Sequence, residues 1–161
     1  MTQNQVQTWL RELGCRSRTA NNPGVEWMLS HIEFPVGSGH LMGIGSPLPP
    51  QQIIMVGSDT KLDGPMLREL RALGAQRQGQ CVEEFRAAVL GRPGMNIDPV
   101  LDPPHITPAG FMIFTYARDQ DLLSAEVLRR VMTSVYEAYQ AGWQALSRYL
   151  PPMPPAPSAI Q

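Results

Sequence analysis

A chain of 161 residues, with 13 Lys and Arg against 14 Asp and Glu and a formal net charge of -1, has the length of one compact domain. It lacks the basic excess with which a dedicated nucleic-acid binder neutralises phosphates. No window approaches the roughly 20 apolar residues of a membrane span, and the opening MTQNQVQTWLRELG has no apolar run of signal length, so a cytoplasmic protein with no membrane partner is expected.

A domain of this size buries about two-thirds of the surface its unfolded chain exposes, so it stands without disulfides or metals. Cys15 and Cys81 agree, being 66 positions apart with no CxxC or paired-histidine spacing. Val6, Trp9, Leu10 and Leu13 fall at i, i+3, i+4 and i+7, which predicts a short amphipathic helix over residues 3–13, closed by Gly14. A loop over residues 16–24 carries the turn signal Asn-Asn-Pro-Gly. Residues 25–34 predict a strand whose apolar parity switches near Ser30 and His31, the mark of a bulge or of burial on both faces. Strands over residues 41–46 and 52–57 follow after short turns, and three such strands form an antiparallel meander.

Asp63-Gly64-Pro65 has the form of a helix start, continued by Met66, Leu70 and Leu73. The pattern weakens over residues 74–79, which predicts a break or a kink, and resumes over residues 80–90. Residues 95–101 predict an edge strand because of Pro99, and residues 111–117 a continuous aromatic strand. The last element is a helix over residues 124–150, capped by Ser124 and ended by Pro151-Pro152. The proline-rich residues 151–161 are expected to be a disordered tail on a single domain, residues 1–150. Strands and helices come in separate runs, which favours α+β over alternating α/β.

Few residues carry candidate chemistry. Gly37-Ser38-Gly39 and Gly43-Ile44-Gly45 open no helix and precede prolines, so they predict hairpin turns rather than phosphate loops. Asp98, Asp102 and His105 are the one cluster of oxygen and imidazole ligands close in sequence, with Asp98 and Asp102 expected to cap proline-rich turns. His31 and His40 lie at or near strands, and no Ser or Cys has a nucleophile's context. Cys81 shares an apolar face with Phe85 and is expected to be buried. Hence no enzyme activity, no cofactor and no metal are expected. Arg16, Ser17 and Arg18, with Arg68, Arg71 and Arg77, are the sites through which a nucleic-acid accessory role with weak single-strand binding would act, but exposed aromatics interleaved with them are missing. Tyr136, Tyr139, Trp143 and Tyr149 widen the apolar stripe of the last helix, which predicts plain packing or a partner along one edge.

The order α-βββ-α-ββ-α, with Trp9-Leu10 in the first helix and an unbroken last helix, resembles the YbjN family and the class I type III secretion chaperones over residues 3–150. The resemblance rests on element order, lengths and apolar placement. It implies a curved antiparallel five-stranded sheet flanked by helices, a homodimer, and a non-enzymatic chaperone-like or adaptor role in holding another protein, the client. No catalytic residue carries over. Those chaperones are typically acidic, so the near-neutral charge favours the YbjN side. By analogy, Phe85, Val89, Met95 and Ile97 are expected at the dimer contact, and Tyr136, Tyr139 and Trp143 at a partner.

Overall fold

The structure is a computed structural model and describes residues 1–48, 52–62, 64–98 and 110–151. The chain runs α1 (Gln3–Glu12), β1 (Arg18–Ala20), β2 (Val25–Glu33), β3 (Leu41–Pro47), β4 (Ile53–Lys61), α2 (Gly64–Ala72), α3 (Ala75–Leu90), β5 (Asn96–Asp98), β6 (Gly110–Arg118) and α4 (Ala125–Ser147). The strands form one open antiparallel sheet in the order β1-β2-β3-β4-β6-β5. The α+β class and the meander are as expected from the sequence. The sheet has six strands rather than five, because the loop after α1 pairs Arg18, Thr19 and Ala20 with Ser30, Leu29 and Met28. The middle helical region is two helices, broken at Leu73 and Gly74, whose residues have no helical backbone.

Alternation along each strand sorts the side chains onto two faces. One face carries Leu29, Ile32, Met42, Ile44, Ile54, Val56, Phe111 and Ile113, all nearly or fully buried. All four helices cover this face. Val6 and Leu10 of α1, Leu70 of α2, Phe85 and Val89 of α3, and Leu128, Met132 and Val135 of α4 join those strand residues in one core cluster. The fold is therefore a two-layer sandwich with every helix on the same side.

The longest helix closes this layer. Ser124 is extended and its Oγ accepts from the Val127 backbone N–H at 3.3 Å, satisfying one of the free donors of the first turn. Ala138, Gly142 and Ala145 line the flank of α4 that meets α3, where a Cβ on Gly142 would lie 2.7 Å from Phe85 Cε2 and 3.0 Å from Val89 Cγ2. The missing side chain lets the Phe85 ring lie against the α4 backbone and meet Phe111 edge-on, with ring centroids 4.6 Å apart.

On the solvent side of α4, Arg129 grips Glu126 with two hydrogen bonds of 2.7 and 2.8 Å, and Arg130 adds a third at 3.3 Å. These contacts hold the Glu126 carboxyl down to about 2 from an ordinary 4.5. A depressed folded value stabilises the fold above the unfolded value, and this contribution is lost as pH falls through the folded one. Thermal melts of wild type and Glu126→Gln should therefore diverge at neutral pH by a small, salt-screened margin, and converge as pH drops from about 4.5 towards about 2.

Candidate functional site

The second face of the sheet carries no helix among the described residues. Outward positions across its centre are Met28 on β2, Gly43 and Gly45 on β3, Met55 and Gly57 on β4, and Met112, Phe114 and Tyr116 on β6, with Asp59, Lys61 and Arg118 at the same parity towards the strand ends. Register lines them up in rows across the strands. Met28 faces Gly45, Gly45 faces Met55, and Met55 faces Tyr116. In the next row Gly43 faces Gly57, and Gly57 faces Phe114, which faces Asn96 of β5. None of these residues belongs to the core cluster or packs against it.

Three glycines make this floor possible. A Cβ on Gly57 would stand 3.0 Å from Phe114 Cβ and 3.4 Å from Met112 Sδ, and one on Gly45 would stand 3.2 Å from the Trp27 carbonyl oxygen. Glycine here is a device of close approach, and not of turning. It lets Phe114 settle to 9% exposure on a face without a helix, while its edge contact Tyr116, at a centroid distance of 5.4 Å, stays 51% exposed. The three methionines are partly exposed. Flexible thioether side chains over a glycine floor give an apolar surface that adapts to several shapes.

The sequence-predicted residues fall elsewhere. Phe85 and Val89 have no exposure at all, and Met95 and Ile97 are 7% and 9% exposed, all four within the chain's own core. Side chains so placed leave little of their own surface for the second copy expected to meet them. For Phe85 and Val89 the cover is α4, which Gly142 lets down over the apolar face of α3.

Tyr136, Tyr139 and Trp143 are half-buried and packed against the core, on the flank of α4 away from α3. The ring of His40, from the β2–β3 connection, sits 4.1 Å from that of Tyr139 and 5.1 Å from that of Tyr136. Burial pulls the His40 value below its ordinary one and pushes the Tyr139 hydroxyl above its own. This flank therefore already has an occupant from its own chain.

Gly37-Ser38-Gly39 does form a turn, with positive φ at both glycines, whereas Gly43-Ile44-Gly45 is the interior of β3 rather than the turn expected for it. The expected cluster of Asp98, Asp102 and His105 lies mostly outside the described residues. Asp98 ends β5 in an exposed position. Among the described residues no group of three His, Cys, Asp or Glu could hold a metal ion, and no helix is long and apolar enough to cross a membrane.

Cys15 and Cys81 are free and buried. Burial, with Glu84 nearby, pushes the Cys81 thiol up to about 11, and burial likewise raises Cys15. Neither thiol should react with Ellman's reagent in the native protein at pH 8, and both should react in denaturant. Release of a thiol equivalent before unfolding would show that the core opens locally.

The outward face was missed for an identifiable reason. Residues 111–117, FMIFTYA, have apolar or aromatic side chains at both parities, the pattern of a strand covered on two sides. The helices account for one side only.

Similar folds are known. A search of curated proteins finds no match. The crystal structure of an uncharacterized protein from Methanothermobacter thermautotrophicus superposes with a TM-score of 0.76 at 20% identity, covering 93% of this chain and 100% of that one. A chain in the structure of the HopA1–SchA chaperone–effector complex superposes with a TM-score of 0.52 at 12% identity, covering 88% of this chain and 91% of that one. At these identities the likeness is one of fold. The model of the family described as "Uncharacterized conserved protein (DUF2299)" matches residues 2–145, and the chain belongs to that family.

Proposed function

We propose that this protein is a non-enzymatic, chaperone-like holder of another protein, and that the helix-free sheet face is where it holds its client. The observation that carries the reading is the apolar floor of Met28, Met55, Met112, Phe114 and Tyr116 over three glycines, on a chain whose core is complete without it. A sheet with one face on a core ordinarily turns polar residues to solvent on the other. Contiguous apolar surface rimmed by charge marks an interaction site. The likeness to a chain of a chaperone–effector complex supports the class of function.

A homodimer is part of the proposal. With Phe85, Val89, Met95 and Ile97 buried, the contact at this corner falls to exposed Leu90 at the end of α3 and to the outer edge of β5. β5 is an edge strand of three residues, and among the described residues no strand pairs with its outer side. Tyr136, Tyr139 and Trp143, with their remaining exposure, serve as a lesser margin of the partner surface in this reading.

Affinity purification from the native lysate, followed by mass spectrometry, tests the main claim. A specific protein retained by wild type is the expected result, and recovery of none would overturn the reading. Light scattering tests the dimer, since a mass equal to one chain would remove it.

A further inference from the structure

The helix-free face does not end in solvent at β2. Between Leu29 and Ile32 the strand spends an extra residue, because Leu29 faces Ile44 while Ile32 faces Met42. The bulge is taken up at His31, whose φ is +55°, a left-handed conformation in which histidine is one of the more tolerated side chains. Ser30 Oγ holds His31 Nδ1 at 2.9 Å. β1 pairs no further than Arg18 with Ser30, so the edge of β2 beyond Ser30 has no strand beside it among the described residues.

In that place lies a cleft of about 650 Å³, lined by residues 14–18 together with His31, Glu33, Val36 and Leu41. One wall is cationic. Arg16 and Arg18 are exposed and have no carboxylate partner among the described residues. Arg11 shares an adjoining depression with Arg16, and its guanidinium bonds only the Gln7 carbonyl and the Thr8 hydroxyl. The carboxylate that lines the cleft, Glu33, accepts the Gly39 backbone N–H at 2.8 Å. The other wall is apolar, with Val36 61% and Leu41 49% exposed. Leu41 shares its side of β3 with Gly43 and Gly45, so the cleft opens onto the methionine and glycine floor.

We infer that this cleft receives an acidic side chain of the client's extended segment, fixing the register of the apolar residues that lie along the floor. The inference rests on the reading given above and names the chemistry of the client. Two unpaired guanidiniums beside apolar side chains suit a carboxylate flanked by aliphatic residues, which arginine binds through paired hydrogen bonds. A single-stranded nucleic acid would need exposed aromatics interleaved with the cations. The exposed aromatic of this face, Tyr116, is on β6, four strands away from β1 and roughly 19 Å at the usual strand spacing.

The test uses the full chain on an array of 12-residue peptides, matched in apolar content and graded in net charge, with a fluorescent single-stranded oligonucleotide assayed in parallel. Wild type should favour acidic over neutral peptides at least tenfold at low salt. Arg16→Ser, in the loop before β1, should weaken that preference, and Arg16→Glu/Arg18→Glu should invert it. Met55→Asp should lower binding to all peptides alike. Binding without a charge preference overturns the acidic cleft and leaves the apolar floor standing. Binding of no peptide overturns both, and retention of the oligonucleotide without an acidic preference assigns the arginines to nucleic acid instead.

Discussion

Phe85→Ala should lower the unfolding free energy by about 3–5 kcal/mol, the usual cost of emptying a fully buried aromatic site. The ring has no exposure, meets Phe111 edge-on and fills the space that Gly142 leaves on α4. Against a typical total of about 5–15 kcal/mol, that loss takes up a large part of the stability. The double-mutant cycle with Gly142→Ala is more telling. Alanine is favoured over glycine inside a helix by about 1 kcal/mol, yet here its Cβ would lie 2.7 Å from the Phe85 ring. In the wild-type background Gly142→Ala should therefore destabilise by about 1–3 kcal/mol through overpacking. In the Phe85→Ala background the ring contacts are gone and the 3.0 Å approach to Val89 Cγ2 remains, so the same substitution should cost clearly less than in wild type. Urea denaturation of the four proteins measures both effects. Additive effects would show that α3 and α4 do not meet as closely as described.

Met55→Asp should abolish client binding while leaving the fold in place. Met55 lies between Gly45 and Tyr116 in the row that crosses the centre of the outward face, and it is not part of the core. Because its side chain is partly exposed already, a carboxylate there keeps its water in the free protein, and the folding cost stays near the 1 kcal/mol span of strand preference. In a complex the same carboxylate is covered by apolar client groups without a partner, a burial that costs several kcal/mol. Retention of the client should fall by at least a hundredfold, with a melting temperature within a few degrees of wild type. Tyr136→Ala, on the other side of the sandwich, should cost far less binding. Equal loss from both would place the client on α4.

The difference between the two faces also explains what was legible in the sequence. α1 and α4 follow from the spacing of Val6, Trp9 and Leu10 and of Leu128, Met132 and Val135, because one buried stripe per helix leaves an unambiguous period. The bulge at His31 is visible as a switch of parity between Leu29 and Ile32. β1 is not legible, since Arg18, Thr19 and Ala20 are too few and too polar to show a period, and only pairing with β2 makes them a strand.

The cover over Phe85 and Val89 is not legible for a different reason. Apolar periodicity on α3 says that Phe85 and Val89 are covered, but not by what, and a glycine 50 or more positions later decides it. The candidate surface was legible in principle. Glycines inside β3 and β4, opposite methionines and aromatics at the outward parity of β2, β4 and β6, describe an apolar face that no helix covers among the described residues. That reading needs the strand register, which periodicity within a single strand does not contain. The arginine cleft likewise combines the end of α1, a bulge in β2 and the start of β3, three segments with no spacing relation in the sequence.

The central claim, that the client lies on the helix-free face, is most directly tested by placing a photo-crosslinking side chain at Tyr116 or at Gln140, both exposed but on opposite layers of the sandwich. Irradiation in native lysate, with mass spectrometry of the adducts, compares the two positions. Adducts to a second protein from position 116 and far fewer from position 140 are the predicted result. Adducts from position 140 alone, or from neither, would contradict it.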